Sequence, residues 1–238
     1  MTTCDAPAMA RIHVSMSFMV AVRTCGLVPY LEGLELQDQA AREVRGGAID
    51  GVLLAIRHPP VITLGRRTCP GDVFVERWAR RAMGVELFHV DRGGGATFHY
   101  PGQAVVYPVL NLRRLGLCVP TLLAAIAEAV HEIVAGRGAL PGYWDPARPG
   151  YYIGGAKVAS VGVHVAGDVT THGVALNVAS GYDGFGLIAP CRERGLRVTS
   201  LCDCLGIAQD PDEIAVELAQ GIQRRIPEKS PRYREVDT

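Results

Sequence analysis

The sequence predicts an α+β domain with a mixed, largely antiparallel sheet flanked by helices. Three observations predict it. Short apolar runs with period-two alternation stand next to one another, as in AKVASVGVHVAG followed by DVTTHGVALNV, which is how a hairpin reads. Clear helical periodicity is confined to a few separated segments, above all TLLAAIAEAVHEIVAG. Strands and helices also lack the regular βαβ succession of a doubly wound fold.

Ile12 to Val22 can form a first strand, and LEGLELQDQAAREVR then reads as a helix with Leu31, Leu34 and Ala41 inward, ended by Gly46-Gly47. GVLLAIR, residues 51 to 57, is a buried strand; His58-Pro59-Pro60 interrupts it before VITLG resumes extended structure. Residues 72 to 83 look helical, and VELFHV at 85 to 90 is a strand that runs into Arg92-Gly93-Gly94-Gly95. AVVYPVLNL, 104 to 112, is another strand, which Pro108 assigns to an edge or a bulge. In the helix after Pro120, Leu122, Leu123, Ile126, Val130, Ile133 and Val134 recur at helical spacing and Gly136 stops it. GALPGYWDPARPG reads as a loop, two strands follow around a turn at Gly167-Asp168, and a last helix runs from about Pro211 to Arg225.

With 238 residues, 48% of them hydrophobic, the chain can bury a full core, and its scattered apolar residues favour one domain. Residues 1–25 are an N-terminal segment with the first strand, 26–225 the domain, and 226–238 a polar tail. The formal net charge is zero, so no global field draws nucleic acid or a membrane surface. No run reaches the roughly 20 apolar residues of a membrane span. The N-terminal segment lacks a basic region followed by a clean cleavage site, and the expected location is the cytoplasm. Seven cysteines at 4, 25, 69, 118, 191, 202 and 204 include no C-x-x-C pair, which fits reduced thiols and speaks against a metal site.

Lys157 is one of only two lysines, with Lys229, in a chain whose other basic residues are arginine. Alternation puts it on the apolar strand face of Ala159, Val161, Val163 and Val165, where an amine can exchange protons and a guanidinium cannot. The competing reading is a strand-end lysine that snorkels to water. A two-residue turn at Gly167-Asp168 pairs Ala166 with Val169 and sets Lys157 opposite Val178. His172 then shares the face of Lys157 but lies about 20 Å along it. The loop ASGYDGFGLIAP can double back and bring Cys191 to Lys157 instead. Cys191 lies beside Arg192, where a cation lowers a thiol's pKa and favours a nucleophilic thiolate; as a plain buried hydrophobe it would need no such role. Arg92 to His99 can offer backbone N–H groups to a ligand oxygen, or can be an ordinary hairpin turn.

RGGGATFHYPGQ, PGYYIGGAKVASVG, HGVALNV and IAPC occur in this order, with LVPY and HPPVITLG before them. Together they resemble the octanoyltransferases of lipoate synthesis. The resemblance implies a biotin/lipoate protein ligase-like fold and a single acyltransferase domain over 26–225. It implies an acyl thioester on Cys191, with Lys157 lowering the thiol's pKa and relaying protons. Arg92, Gly93, Gly94, Gly95, Ala96, Thr97, Phe98, His99, Ser160, Val161, Gly162, Gly173, Val174 and Ala175 would line the acyl-substrate site. The implied donor is octanoyl-acyl carrier protein, and the implied acceptors are lipoyl domains of 2-oxoacid dehydrogenase complexes and the glycine cleavage H protein. No cofactor or metal is expected. Arg192, Tyr100 and Arg57 depart from the family pattern. The alternatives are an ATP-dependent lipoate or biotin ligase and a non-catalytic acyl-binding member of the same fold.

Overall fold

The structure is a computed structural model that describes residues 19–138, 141–190 and 195–227. Among these described residues, ten strands and six α-helices follow in the order β1 (Val20–Leu27), α1 (Tyr30–Arg45), β2 (Gly51–Arg57), β3 (Val61–Leu64), α2 (Arg77–Ala82), β4 (Glu86–His89), β5 (Ala96–His99), β6 (Gln103–Leu110), α3 (Leu112–Leu115), α4 (Val119–Gly136), β7 (Gly142–Asp145), β8 (Gly150–Ile153), β9 (Ala156–Ala166), β10 (Val169–Asn177), α5 (Leu201–Leu205) and α6 (Pro211–Arg224). A 3-10 turn covers Tyr182–Leu187. Seven strands form one sheet in the order β1-β2-β6-β10-β9-β8-β7, and β4-β3-β5 form a second. Among the pairs of described strands only β1/β2 and β3/β4 are parallel, so the expected mixed, largely antiparallel α+β architecture is what forms.

Local chemistry accounts for the main elements. Pro211 starts α6 behind Asp210, whose carboxylate caps the Asp212 N–H at 2.8 Å. At the start of α4, Thr121 accepts the Cys118 N–H at 2.9 Å. The β9–β10 turn has Gly167 at φ 55° and Asp168 at φ 66°, the two positive values a type I′ hairpin requires. Ala166 therefore pairs with Val169, and the register runs unbroken to Ala159 and Leu176. One face of the large sheet packs on α4 and α6 through Leu53, Val106, Ile126, Val130, Leu176, Leu218 and Ile222. The opposite face receives α1 through Ala40, Ala41 and Val44. A third cluster lies on the small sheet around Ile62, Phe98, Tyr100 and Phe185.

Several expectations are corrected. The first described strand covers Val20–Leu27 and so runs on past Val22, while the expected stretch from Ile12 to 18 lies outside the described residues. In α1 the buried stripe is Tyr30, Gly33, Gln37, Ala40, Ala41 and Val44, while Leu31 is exposed and Leu34 half-buried: small residues, not leucines, let this helix approach the sheet. The helix expected over 72–83 shrinks to Arg77–Ala82, because 72–74 pair with 187–189 instead. The proline-rich stretch after α4 holds an edge strand, β7, and YYI forms β8.

Pro108 lies on β6 in the middle of the sheet, not at an edge. The β6–β10 ladder ends at Val106, and the Thr170 hydroxyl replaces it, donating to Pro108 O at 2.5 Å while accepting the Leu110 N–H at 3.0 Å. Lys157 departs from its expected face as well. Tyr151 and Tyr152 of β8 face Ala159 and Lys157, so two steps of β9 match one step of β8 and Val158 is a bulge. Val158 and Ala159 both join the α4/α6 core, and Lys157 turns to the opposite side with Ser160 and Gly162. It does not pair with Val178; its N–H donates to Arg197 O at 2.8 Å and its carbonyl accepts the Thr199 N–H at 3.0 Å.

Candidate active site

The bulge matters because it aims Lys157 into a cavity between the two sheets. Lys157, Ser160, Val161 and Gly162 of β9 and His172, Gly173, Val174 and Ala175 of β10 form one wall. Arg92, Gly94, Gly95, Ala96, Thr97 and His99 form the other, and Val105, Tyr107 and Tyr30 close it. The structure thus brings together Lys157 and twelve of the fourteen expected substrate-site residues. Phe98 is not among them: strand alternation turns it into the small-sheet cluster, where its ring lies 5.9 Å from Tyr100 and 5.8 Å from Phe185. Gly93 is not a wall residue either; its N–H bonds Val163 O at 3.0 Å and holds the glycine loop on β9. Cys191 and Arg192 lie outside the described residues.

The glycines are needed for close approach. A Cβ on Gly65 would stand 2.5 Å from Gly94 O, and one on Gly162 2.7 Å from Gly93 O. Lys157 is only 2% exposed, and its ammonium sits 5.5 Å from the centroid of the Tyr152 ring. Snorkelling to water is thereby excluded.

The polar groups of this region are bonded into networks. His58 lies behind α1 and β6, with Nδ1 2.8 Å from Val28 O and Nε2 2.8 Å from Tyr107 Oη. A carbonyl can only accept, so Nδ1 carries the proton and Nε2 accepts from the tyrosine. The Gln103 amide donates to Phe98 O and Asn177 Oδ1, leaving its oxygen to accept from His99 Nδ1 at 2.9 Å. Asn177 in turn donates to Thr199 O at 2.9 Å, and Thr199 donates to Lys157 O. Arg92 bonds Thr63 through Nε and Nη2.

Burial sets the protonation states. It pushes His58 down to about 4, and it pushes His99 down to about 3 with further repulsion from His58 and Arg92. His172 falls to about 4, mainly through burial and then through Arg92. All three imidazoles are neutral at pH 7. Burial raises Tyr30 to about 12 and Tyr107 well above the usual phenol range, so both remain hydrogen-bond donors.

Sequence reasoning missed Tyr30, Val105, Tyr107 and His172 as wall residues. His172 adjoins Gly173 and carried a usable signal; Tyr30 and Tyr107 did not, because nothing in the chain links LVPY to β6. No group of three or more His, Cys, Asp or Glu that could hold a metal ion occurs among the described residues. Cys202 and Cys204 are free thiols within α5.

The fold that carries this cavity, a seven-stranded and a three-stranded sheet flanked by helices, is shared with solved lipoate protein ligases. P. falciparum LipL1 in complex with lipoate superposes with a TM-score of 0.63 at 13% identity, over 87% of this chain and 62% of that one. The bi-partite lipoate protein ligase of Thermoplasma acidophilum gives 0.59 at 15% identity, over 88% and 84%. Residues 29–223 match the lipoyl protein ligase A/B catalytic domain. Curated octanoyltransferases of Chloroflexus aurantiacus (38% identity, 84% of this chain and 90% of the relative) and Xylella fastidiosa (37%, 92% and 91%) align along most of their length. So does the mitochondrial octanoyl-[acyl-carrier-protein]:protein N-octanoyltransferase of Xenopus tropicalis, at 37% identity over 86% of each chain. The chain belongs to the octanoyltransferases of the lipoyl protein ligase A/B catalytic-domain family.

Proposed function

We propose that the protein moves an octanoyl, or lipoyl, group from acyl carrier protein to a lysine of lipoyl domains, through a thioester on Cys191. The acceptors are lipoyl domains of 2-oxoacid dehydrogenase complexes and the glycine cleavage H protein, and the reaction is cytoplasmic. The observation that carries the reading is Lys157, buried where the chain on both sides of 191–194 is anchored. Pro190 bridges Ala96, and Val198 bridges Lys157.

In this reading Cys191 and Lys157 start as a thiolate and an ammonium. The thiolate attacks the carrier-bound thioester; the carbon–sulfur bond to Cys191 forms and the bond to the carrier breaks. The departing thiolate takes a proton from Lys157. The neutral amine of the acceptor lysine then attacks the acyl-enzyme, its proton returns to Lys157, and Cys191 leaves as thiolate. Exchange between thioesters is nearly balanced and amide formation is downhill, so neither ATP nor a cofactor is needed.

Incubation with octanoyl-acyl carrier protein, followed by intact-mass measurement, tests this. An octanoyl adduct is expected on the parent protein and not on Cys191→Ser; an adduct that persists in the variant would overturn the mechanism. Lys157→Arg keeps the charge but not the titratable amine, and is expected to lose most transfer activity.

A further inference from the structure

Among the described residues, only two other than glycine have positive φ, Asp168 at the hairpin turn and His172 at φ 57°. The turn explains the first. His172 sits within β10, where a left-handed backbone on a residue other than glycine costs energy and is held by its surroundings. The restraint is visible: the His172 N–H donates to Gln37 Oε1 at 2.6 Å, and Gln37, itself 2% exposed, donates onward to Gly33 O at 3.3 Å. No hydrogen bond reaches the ring nitrogens among the described residues. The ring is 6% exposed and stands edge-on to Tyr107, with centroids 6.2 Å apart.

We propose that His172 is the end wall of the acyl pocket and fixes the length of chain it accepts, with Gln37 as the residue that positions it. The proposal rests on the acyl-transfer reading of the same cavity. The wall residues of β10 run from Ala175 back to His172, and those of β9 from Lys157 to Gly162; nothing nearer the hairpin turn contributes. His172 pairs with Val163, six residues from Lys157 with one of them in the bulge, so the two ends are about 16 Å apart along the ladder. Between them stand Ser160, Gly162, Gly173 and Ala175, small residues that leave a trough for an extended chain. At the far end the Gly93 N–H donates to Val163 O, which ties the glycine loop to β9 at the residue that pairs with the histidine. The thioester belongs at the Lys157 end, and the methyl end of the chain meets the imidazole.

The test compares transfer from hexanoyl-, octanoyl-, decanoyl-, dodecanoyl- and tetradecanoyl-acyl carrier protein to a lipoyl domain. His172→Gly suits the backbone, since glycine adopts positive φ without strain; His172→Asn is a second variant whose residue tolerates it. The dodecanoyl-to-octanoyl ratio of kcat/KM is expected to rise roughly tenfold or more in His172→Gly, as for other pockets that discriminate by methylenes. His172→Asn is expected to shift it less. Gln37→Ala should move the ratio in the same direction, and Gln37→Glu, which keeps the acceptor oxygen, should restore it. An unchanged ratio in both His172 variants overturns the end wall while leaving acyl transfer standing. A parent protein that takes no acyl group of any length overturns both.

Discussion

The two faces of the seven-stranded sheet are built on opposite terms. Beneath α4 and α6 the contacts are almost wholly aliphatic, with Leu53, Ala104, Val106, Ile126, Val130, Leu176, Leu218 and Ile222 sealed together. On the other face α1 covers one part with alanine and valine, and the rest opens towards the small sheet around His58, Thr63, Arg92, His99, Gln103, Lys157 and His172, all buried. An aliphatic face gains stability in proportion to the area it removes from water. A buried polar face gains little and must keep its hydrogen bonds satisfied. The first face holds the sheet in place, and the second spends part of that stability on holding polar side chains at fixed positions.

Separating the two faces by mutation is the way to break the comparison. The largest expected effect falls on activity. Lys157→Met replaces a buried ammonium by an apolar chain of similar length, so the melting temperature should stay level or rise. Transfer should fall by ~10²–10⁴, the range for a lost proton-transfer group. A variant that melts much earlier would mean that Lys157 is holding the fold.

Acid tests the same face as a whole. His58, His99 and His172 have folded-state pKa values near 4, 3 and 4, below the ordinary value of 6.5 in the unfolded chain. Above pH 6.5 neither state binds these protons and the histidines contribute no pH dependence. Below it the unfolded chain takes them up first, so stability should fall as pH drops from 6.5 towards 4, by roughly 1 kcal/mol per pH unit for each histidine. Urea unfolding at stepwise pH reads the slope; a flat profile between 6.5 and 5 would show that the imidazoles are not held neutral.

The aliphatic face should answer in the opposite way. Ile126 is fully buried between α4 and the sheet, and Ile126→Ala should cost about 2–5 kcal/mol of stability through lost burial and the cavity it leaves. Transfer by the molecules that remain folded should be unchanged at low temperature. A changed kcat there would mean that the two faces are coupled through the sheet.

The same division decides what could be read from the chain. GVLLAIR forms β2 with the expected bounds, and the last helix and the hairpin register follow from apolar alternation, Asp210-Pro211 and Gly167-Asp168. These are local signals. The Val158 bulge is not local, since it exists only relative to β8, and without it Lys157 is assigned to the wrong side of the sheet. Pro108 misled for a similar reason: Thr170, 62 residues away, supplies the bonds that make a proline tolerable inside a sheet. The cavity residues were legible through the order of four motifs, whereas Tyr30 and Tyr107 reach the cavity only once the chain has folded. Leucines in α1 suggested an inner face that the helix does not use, because close packing against His58 demands Gly33, whose Cβ would lie 2.7 Å from the ring.

The smallest effect belongs to the turn that joins the two cavity strands, and it sharpens the distinction between holding a strand and holding a site. Asp168 has φ 66°, its carbonyl accepts the Leu112 N–H at 2.9 Å, and its carboxylate stands 3.9 Å from the exposed Arg113. That exposed pair contributes little. Asp168→Gly removes the modest cost of a left-handed backbone on a residue with a Cβ but loosens the unfolded chain, so the two terms oppose each other and the net change should stay within ~1 kcal/mol. His172 has almost the same φ on the same strand, yet His172→Gly is expected to change which acyl chain is accepted. If the two substitutions shift stability alike and only the second shifts chain length, the backbone strain at His172 serves the pocket, and that at Asp168 serves only the hairpin.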